Sequence, residues 1–79
     1  MRKIQILGTG CARCTKLAEI AEQAARDMGM DFEIVKVTDL NEILDFGVIA
    51  TPGLAVDGRL LCAGKVPTPE ETKALFAKL

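Results

Sequence analysis

The chain has 79 residues, 49% hydrophobic and 27% charged, with a formal net charge of −1. This is the length of one small domain, residues 1–79, with the composition of a folded one and a charge balance that argues against nucleic acid or an anionic membrane as partner. There is no histidine, tryptophan or tyrosine, so mechanisms that need a histidine base or ligand are excluded.

No apolar run approaches the roughly 18 residues of a membrane span. Met1-Arg2-Lys3 leads straight into a strand-like segment, with no signal-peptide core. These features predict a cytoplasmic protein. In that compartment a close cysteine pair serves catalysis or metal binding more often than structure.

Lys3-Ile4-Gln5-Ile6-Leu7 is short, apolar and followed by glycine, which predicts a central strand. Gly8-Thr9-Gly10 forms a loop, and Gly10 lets backbone approach whatever comes to Cys11. A helix is predicted over residues 12–28. Leu17, Ala21, Ala24 and Met28 form its apolar stripe, flanked by Ala18 and Ala25. Cys11 and Cys14 therefore sit where a strand's end meets a helix's start. Free backbone N–H groups and the macrodipole favour thiolate over thiol there. Arg13 and Lys16 add positive charge, and Arg13 is expected to tune the thiol pKa downward. The cysteines are three apart, so they share one side of the first turn and are able to bridge. Cys14 extends the buried stripe and reads as the shielded, resolving thiol. Cys11 continues the line past the helix end and reads as the exposed, attacking one.

Residues 31–37, Asp31-Phe32-Glu33-Ile34-Val35-Lys36-Val37, predict a second strand, completing a right-handed parallel βαβ unit. A short helix follows, capped by Thr38 or Asp39, with Leu40, Ile43 and Leu44 as its apolar face and Gly47 at its end. Pro52 opens a strand over residues 54–56. Asp57-Gly58 is a hairpin turn, and residues 59–63 return. Cys62 alternates with Leu60 and reads as a small buried apolar residue. Thr68-Pro69-Glu70-Glu71 starts a last helix that runs to residue 78. Leu75 and Leu79 lie on one of its faces, with Thr72 and Phe76 beside them.

The order is β-α-β-α-β-β-α, an α/β chain with Cys-X-X-Cys at the first strand-to-helix junction. With Thr51-Pro52, Asp57-Gly58 and Gly64-Lys65-Val66-Pro67-Thr68, it resembles the thioredoxin fold in its minimal form. More narrowly, it resembles the small prokaryotic thioredoxin-like redox-active disulfide proteins. The resemblance covers the whole chain and implies a four-stranded mixed sheet flanked by three helices. It implies a thiol–disulfide oxidoreductase with Cys11 as nucleophile and Cys14 as resolving thiol. Pro52 would be the cis-proline facing the disulfide, and Thr51 would offer backbone hydrogen bonds to a substrate. No cofactor is implied beyond the Cys11–Cys14 disulfide, and no metal. The implied partners are a protein or small-molecule disulfide and a disulfide reductase of unknown type.

The chain departs from typical thioredoxins at three points. Gly10 stands where a tryptophan precedes the first cysteine, Ala12-Arg13 replaces a pair containing proline, and the buried acid beneath the disulfide has no clear counterpart. The potential stays open within the fold's range of about −270 to −120 mV. A second reading is a soft-metal carrier, since two thiolates suit Cu(I). It ranks lower because small copper chaperones end in a strand. An arsenic-related thiol module is a further alternative, and a structural zinc site would lack ligands.

Overall fold

The computed structural model describes residues 1–10, 12–48 and 50–79. The elements follow in the order β1 (Arg2–Leu7), α1 (Ala12–Asp27), β2 (Phe32–Val37), α2 (Leu40–Asp45), β3 (Gly53–Val56), β4 (Arg59–Ala63) and α3 (Pro69–Ala77). The sheet order is β2-β1-β3-β4. β1 pairs parallel with β2 and antiparallel with β3, and β3 pairs antiparallel with β4. The sheet is therefore mixed, and β1 is interior. This is the α/β order read from the sequence, and the four strands and three helices are those of a minimal thioredoxin-like fold.

Alternation along β1 explains the two layers of the core. Ile4 and Ile6 face one side, where they join Leu54 and Val56 beneath Leu17, Ala21, Ala24 and Ala25 of α1 and Phe76 of α3. Leu7 faces the other side and packs with Val37, Ala55, Val48 and Ile43 of α2. The alanines bring α1 close to the sheet, and each fully buried Leu or Ile contributes about 1.5–3 kcal/mol.

Three expectations about the core change. Met28 is 38% exposed and ends no buried stripe. The helix closes one residue earlier, with Met30 N–H donating to Ala25 O and Gly29 N–H to Arg26 O. That closure turns the chain toward β2 before Met28 reaches the sheet. Leu40 and Leu44 are 61% and 52% exposed, so Ile43 alone of the α2 trio is buried. A helix of six residues seats only one row of side chains. Finally, Leu60 and Cys62 do not share a face. A bulge lets Ala55 pair with Leu60 and Leu54 with Cys62. Because Leu54 and Ala55 point to opposite faces, so do their partners. Cys62 is half-buried rather than a fully buried core residue.

The hairpin and caps behave as their chemistry demands. Asp57 and Gly58 both take positive φ, 52° and 85°, as a two-residue turn of this type requires. The Asp57 carboxylate accepts from Lys3 N–H at 2.9 Å and from the Arg2 guanidinium at 3.0 Å. Gly58 N–H donates to the Gln5 side chain at 2.8 Å. Asp39 caps α2. α3 begins in a capping box: Glu71 N–H donates to the Thr68 hydroxyl, and Thr68 N–H to the Glu71 carboxylate.

Hydrogen bonds and ion pairs hold three carboxylates below their ordinary range. Asp57 is lowered by Lys3 N–H and then by Arg2. Glu71 is lowered by Thr68 and by Lys65, and Asp27 by Gln23 and Lys73. A depressed folded-state pKa contributes stability above the unfolded value, near 4, that is lost as pH falls through the folded one. The melting temperature is thus expected to hold from pH 7 to about 5 and to fall below about 4. Circular-dichroism melts check this. Asp57→Ala should flatten the acid limb, and an unchanged limb would contradict the assignment.

Candidate active site

β1 delivers the chain to the site. Past Leu7, Gly8 N–H donates to Val37 O at 3.0 Å, so the end of the β1–β2 ladder fixes the start of the loop. α1 then begins at Ala12, with Arg13 and Cys14 in its first turn. Cys11 lies outside the described residues.

Cys14 is 6% exposed. Its Sγ sits directly over Gly8: a Cβ built there would collide with it. The same Cβ would lie 3.9 Å from Thr51 Cβ. Gly8 is therefore the floor between the Cys14 sulfur and the Thr51 side chain. The sequence offered Gly8 only as a loop glycine. A glycine immediately after a strand leading to Cys-X-X-Cys is the signal that a side chain is excluded there.

The Thr51–Pro52 peptide bond is cis. Pro52 is fully buried and Thr51 is exposed. Pro52 O accepts from Gly64 N–H at 2.8 Å, which ties this segment to the end of β4. Thr9, Gly10, Ala12, Ala50, Thr51 and Ala63 are all exposed and all small and uncharged.

Arg13 reaches across this surface. Its guanidinium donates to Gly64 O at 3.2 Å. Gly64 lies in a loop, yet its carbonyl accepts from α1 while its N–H donates to Pro52 O. Lys65 pairs with Glu71 at 3.5 Å.

Cys62 stands apart in a cleft of about 280 Å³ with Leu61, Lys65, Pro67, Glu71, Ala74 and Leu75. Burial pushes its thiol pKa up, with Lys65 opposing. A raised pKa leaves less thiolate at neutral pH, so Cys62 is a poor nucleophile. A wider groove of about 520 Å³ is lined by Met1, Arg2, Met28, Met30, Asp31, Asp57, Phe76 and Leu79. Neither cleft is lined by Cys14, Thr51 or Pro52. Among the described residues, no three His, Cys, Asp or Glu side chains group to hold a metal. Nor is any described helix long and apolar enough to cross a membrane.

A family model described as a thioredoxin domain matches residues 2–77. The chain is 46% identical over 77 residues to a thioredoxin of Methanothermobacter thermautotrophicus, covering 98% of this chain and all of the relative. It is 47% identical over 70 residues to a thioredoxin of Methanocaldococcus jannaschii, covering 89% of this chain and 80% of the relative. With a strand-to-helix junction at Gly8–Cys14, a Thr51–Pro52 segment beside it and a match across almost its whole length, the chain belongs to the thioredoxin family.

Proposed function

We propose that this thiol–disulfide oxidoreductase works through Cys11 as nucleophile and Cys14 as resolving thiol. One observation carries the division of roles: Cys14 is 6% exposed and packed over Gly8. A sulfur so placed is not the one an incoming protein disulfide meets first. Cys11 precedes it at the strand-to-helix junction, where backbone N–H groups favour thiolate.

The Cys11 thiolate attacks one sulfur of the substrate disulfide. A Cys11–substrate mixed disulfide forms and one substrate thiolate leaves, taking a proton from water. The Cys14 thiolate then attacks the Cys11 sulfur, and the second substrate thiolate departs. Two electrons have passed to the substrate, and Cys11–Cys14 is left as a disulfide. A disulfide reductase restores the dithiol. Thr51 and Gly10 offer backbone to the bound chain, and the small neutral side chains around them let it approach closely. Protein disulfides are the substrate class this surface suits, and the cytoplasm is the compartment for the reduced dithiol.

The test is a redox titration in dithiothreitol buffers, with free thiols counted by alkylation and mass spectrometry, since the chain has no tryptophan to report by fluorescence. Cys11 and Cys14 are expected to oxidise together as a two-electron couple between about −300 and −120 mV, while Cys62 stays reduced. Thiols that remain blocked until a chelator is added would overturn this reading in favour of soft-metal binding.

A further inference from the structure

Arg13 stands between the two cysteines in sequence, and its charge makes it a natural candidate for stabilising a thiolate. Among the described residues its guanidinium donates to Gly64 O at 3.2 Å. The same Gly64 residue donates its N–H to Pro52 O at 2.8 Å. A single residue of the β4–α3 connection thus links the first turn of α1 to the carbonyl of the cis-proline segment.

Gly64 is fitted to this place. Its φ is +80°, and a Cβ there would stand 3.2 Å from Ala50 Cβ. Glycine takes that backbone at least cost, and a side chain there would press on Ala50. The far end of the connection is held independently. Lys65 pairs with Glu71, Glu71 closes the cap of α3, and Pro67 is fully buried. Among the described residues the Gly64 end is held by its N–H bond to Pro52 O and by the bond it accepts from Arg13.

We infer that Arg13 is a positioning residue. It holds Gly64, and through it the Pro52 carbonyl, at a set distance from the Cys11–Cys14 turn, and so fixes the width of the surface on which a substrate chain lies. The inference rests on the proposed dithiol mechanism and replaces tuning by charge with tuning by geometry. An exposed guanidinium exerts a weak Coulomb effect through water, whereas its hydrogen bond to a carbonyl 51 positions away ties two loops together.

The experiment uses steady-state reduction of insulin by the full chain with dithiothreitol as electron source. The wild type is compared with Arg13→Gln, Gly64→Ala and the double variant. KM is expected to rise about fivefold in Arg13→Gln, the equivalent of one hydrogen bond, with kcat within about twofold. Gly64→Ala changes no charge and should raise KM comparably. The double variant should be no worse than the weaker single one, because both cut the same link. The pH midpoint of Cys11 alkylation should match wild type in both. An unchanged KM in Arg13→Gln would overturn the inference, and so would a raised alkylation midpoint with KM intact. Arg13→Gln decides the matter alone should Gly64→Ala fail to fold. Absence of turnover in the wild type would overturn the dithiol mechanism itself, a result distinct from either.

Discussion

Replacing Cys11 with serine is expected to reduce protein-disulfide reduction to the background rate of the added dithiol. Replacing Cys14 is expected to arrest the reaction halfway. A serine hydroxyl is not ionised at neutral pH, whereas an ordinary thiol is already a few per cent thiolate, so the first loss should exceed about a thousandfold. Cys14→Ser removes only the second displacement. The mixed disulfide then has no internal thiol to resolve it, and a Cys11–substrate adduct should accumulate at one per chain. Non-reducing gels and intact mass measure both outcomes. The asymmetry is the informative part. Adduct formation through Cys14 in the Cys11→Ser protein would reverse the roles, and would contradict the burial of Cys14 at 6% exposure.

Gly8→Ala is the second substitution with a large expected effect, and its cause is purely steric. Gly8 does not take a left-handed conformation, so an alanine is acceptable to the backbone. Its methyl group, however, would collide with the Cys14 sulfur. The neighbour is a buried side chain on the first turn of α1, with the Thr51 side chain on the other side, so it has little room to give. Overpacking of this kind costs about 1–3 kcal/mol. In a domain of this size that lowers the melting temperature by roughly 5–20 °C. The displaced Cys14 sulfur should also shift the midpoint of the dithiol titration. Gly10→Ala serves as the comparison. Gly10 has φ +91° with no described residue within 4 Å of its Cβ position, so its cost is in backbone strain, about 1–2 kcal/mol, without displacing Cys14. Equal effects of the two variants on the titration midpoint would show that the Gly8 contact does not govern the thiol.

The contacts around the cysteine pair share a feature: most join separate segments of the chain. Gly8 meets Cys14 and Thr51, Arg13 meets Gly64, and Gly64 meets Pro52. The chemistry is local to one turn, but the surface that presents a substrate to it is assembled from three loops. Stability has a similar division. The Asp57 hairpin is anchored back to β1 through Lys3 and Arg2, so protonating one exposed carboxylate loosens a tertiary tie as well as a turn.

The sequence by itself determined the order of elements and the main buried faces of β1, α1 and α3, because those depend on short-range rules. Alternation at Ile4, Ile6 and Leu7, helical spacing from Leu17 to Ala24, the Asp57-Gly58 turn and the Thr68–Glu71 cap are all written within a few residues. The junction position of Cys14 was legible for the same reason, and its burial followed from its register with Leu17. Tertiary structure decided the rest. Met28 lost its place in the core because the helix closed at Gly29. Leu40 and Leu44 remained exposed because a six-residue helix meets the sheet along one row. A bulge, invisible in the apolar pattern, sent Leu60 and Cys62 to opposite faces. The roles of Gly8, Gly64 and Arg13 came from contacts across 6 to 51 positions of chain. No local pattern encodes such a contact, since it exists only once the sheet has set which loops lie side by side.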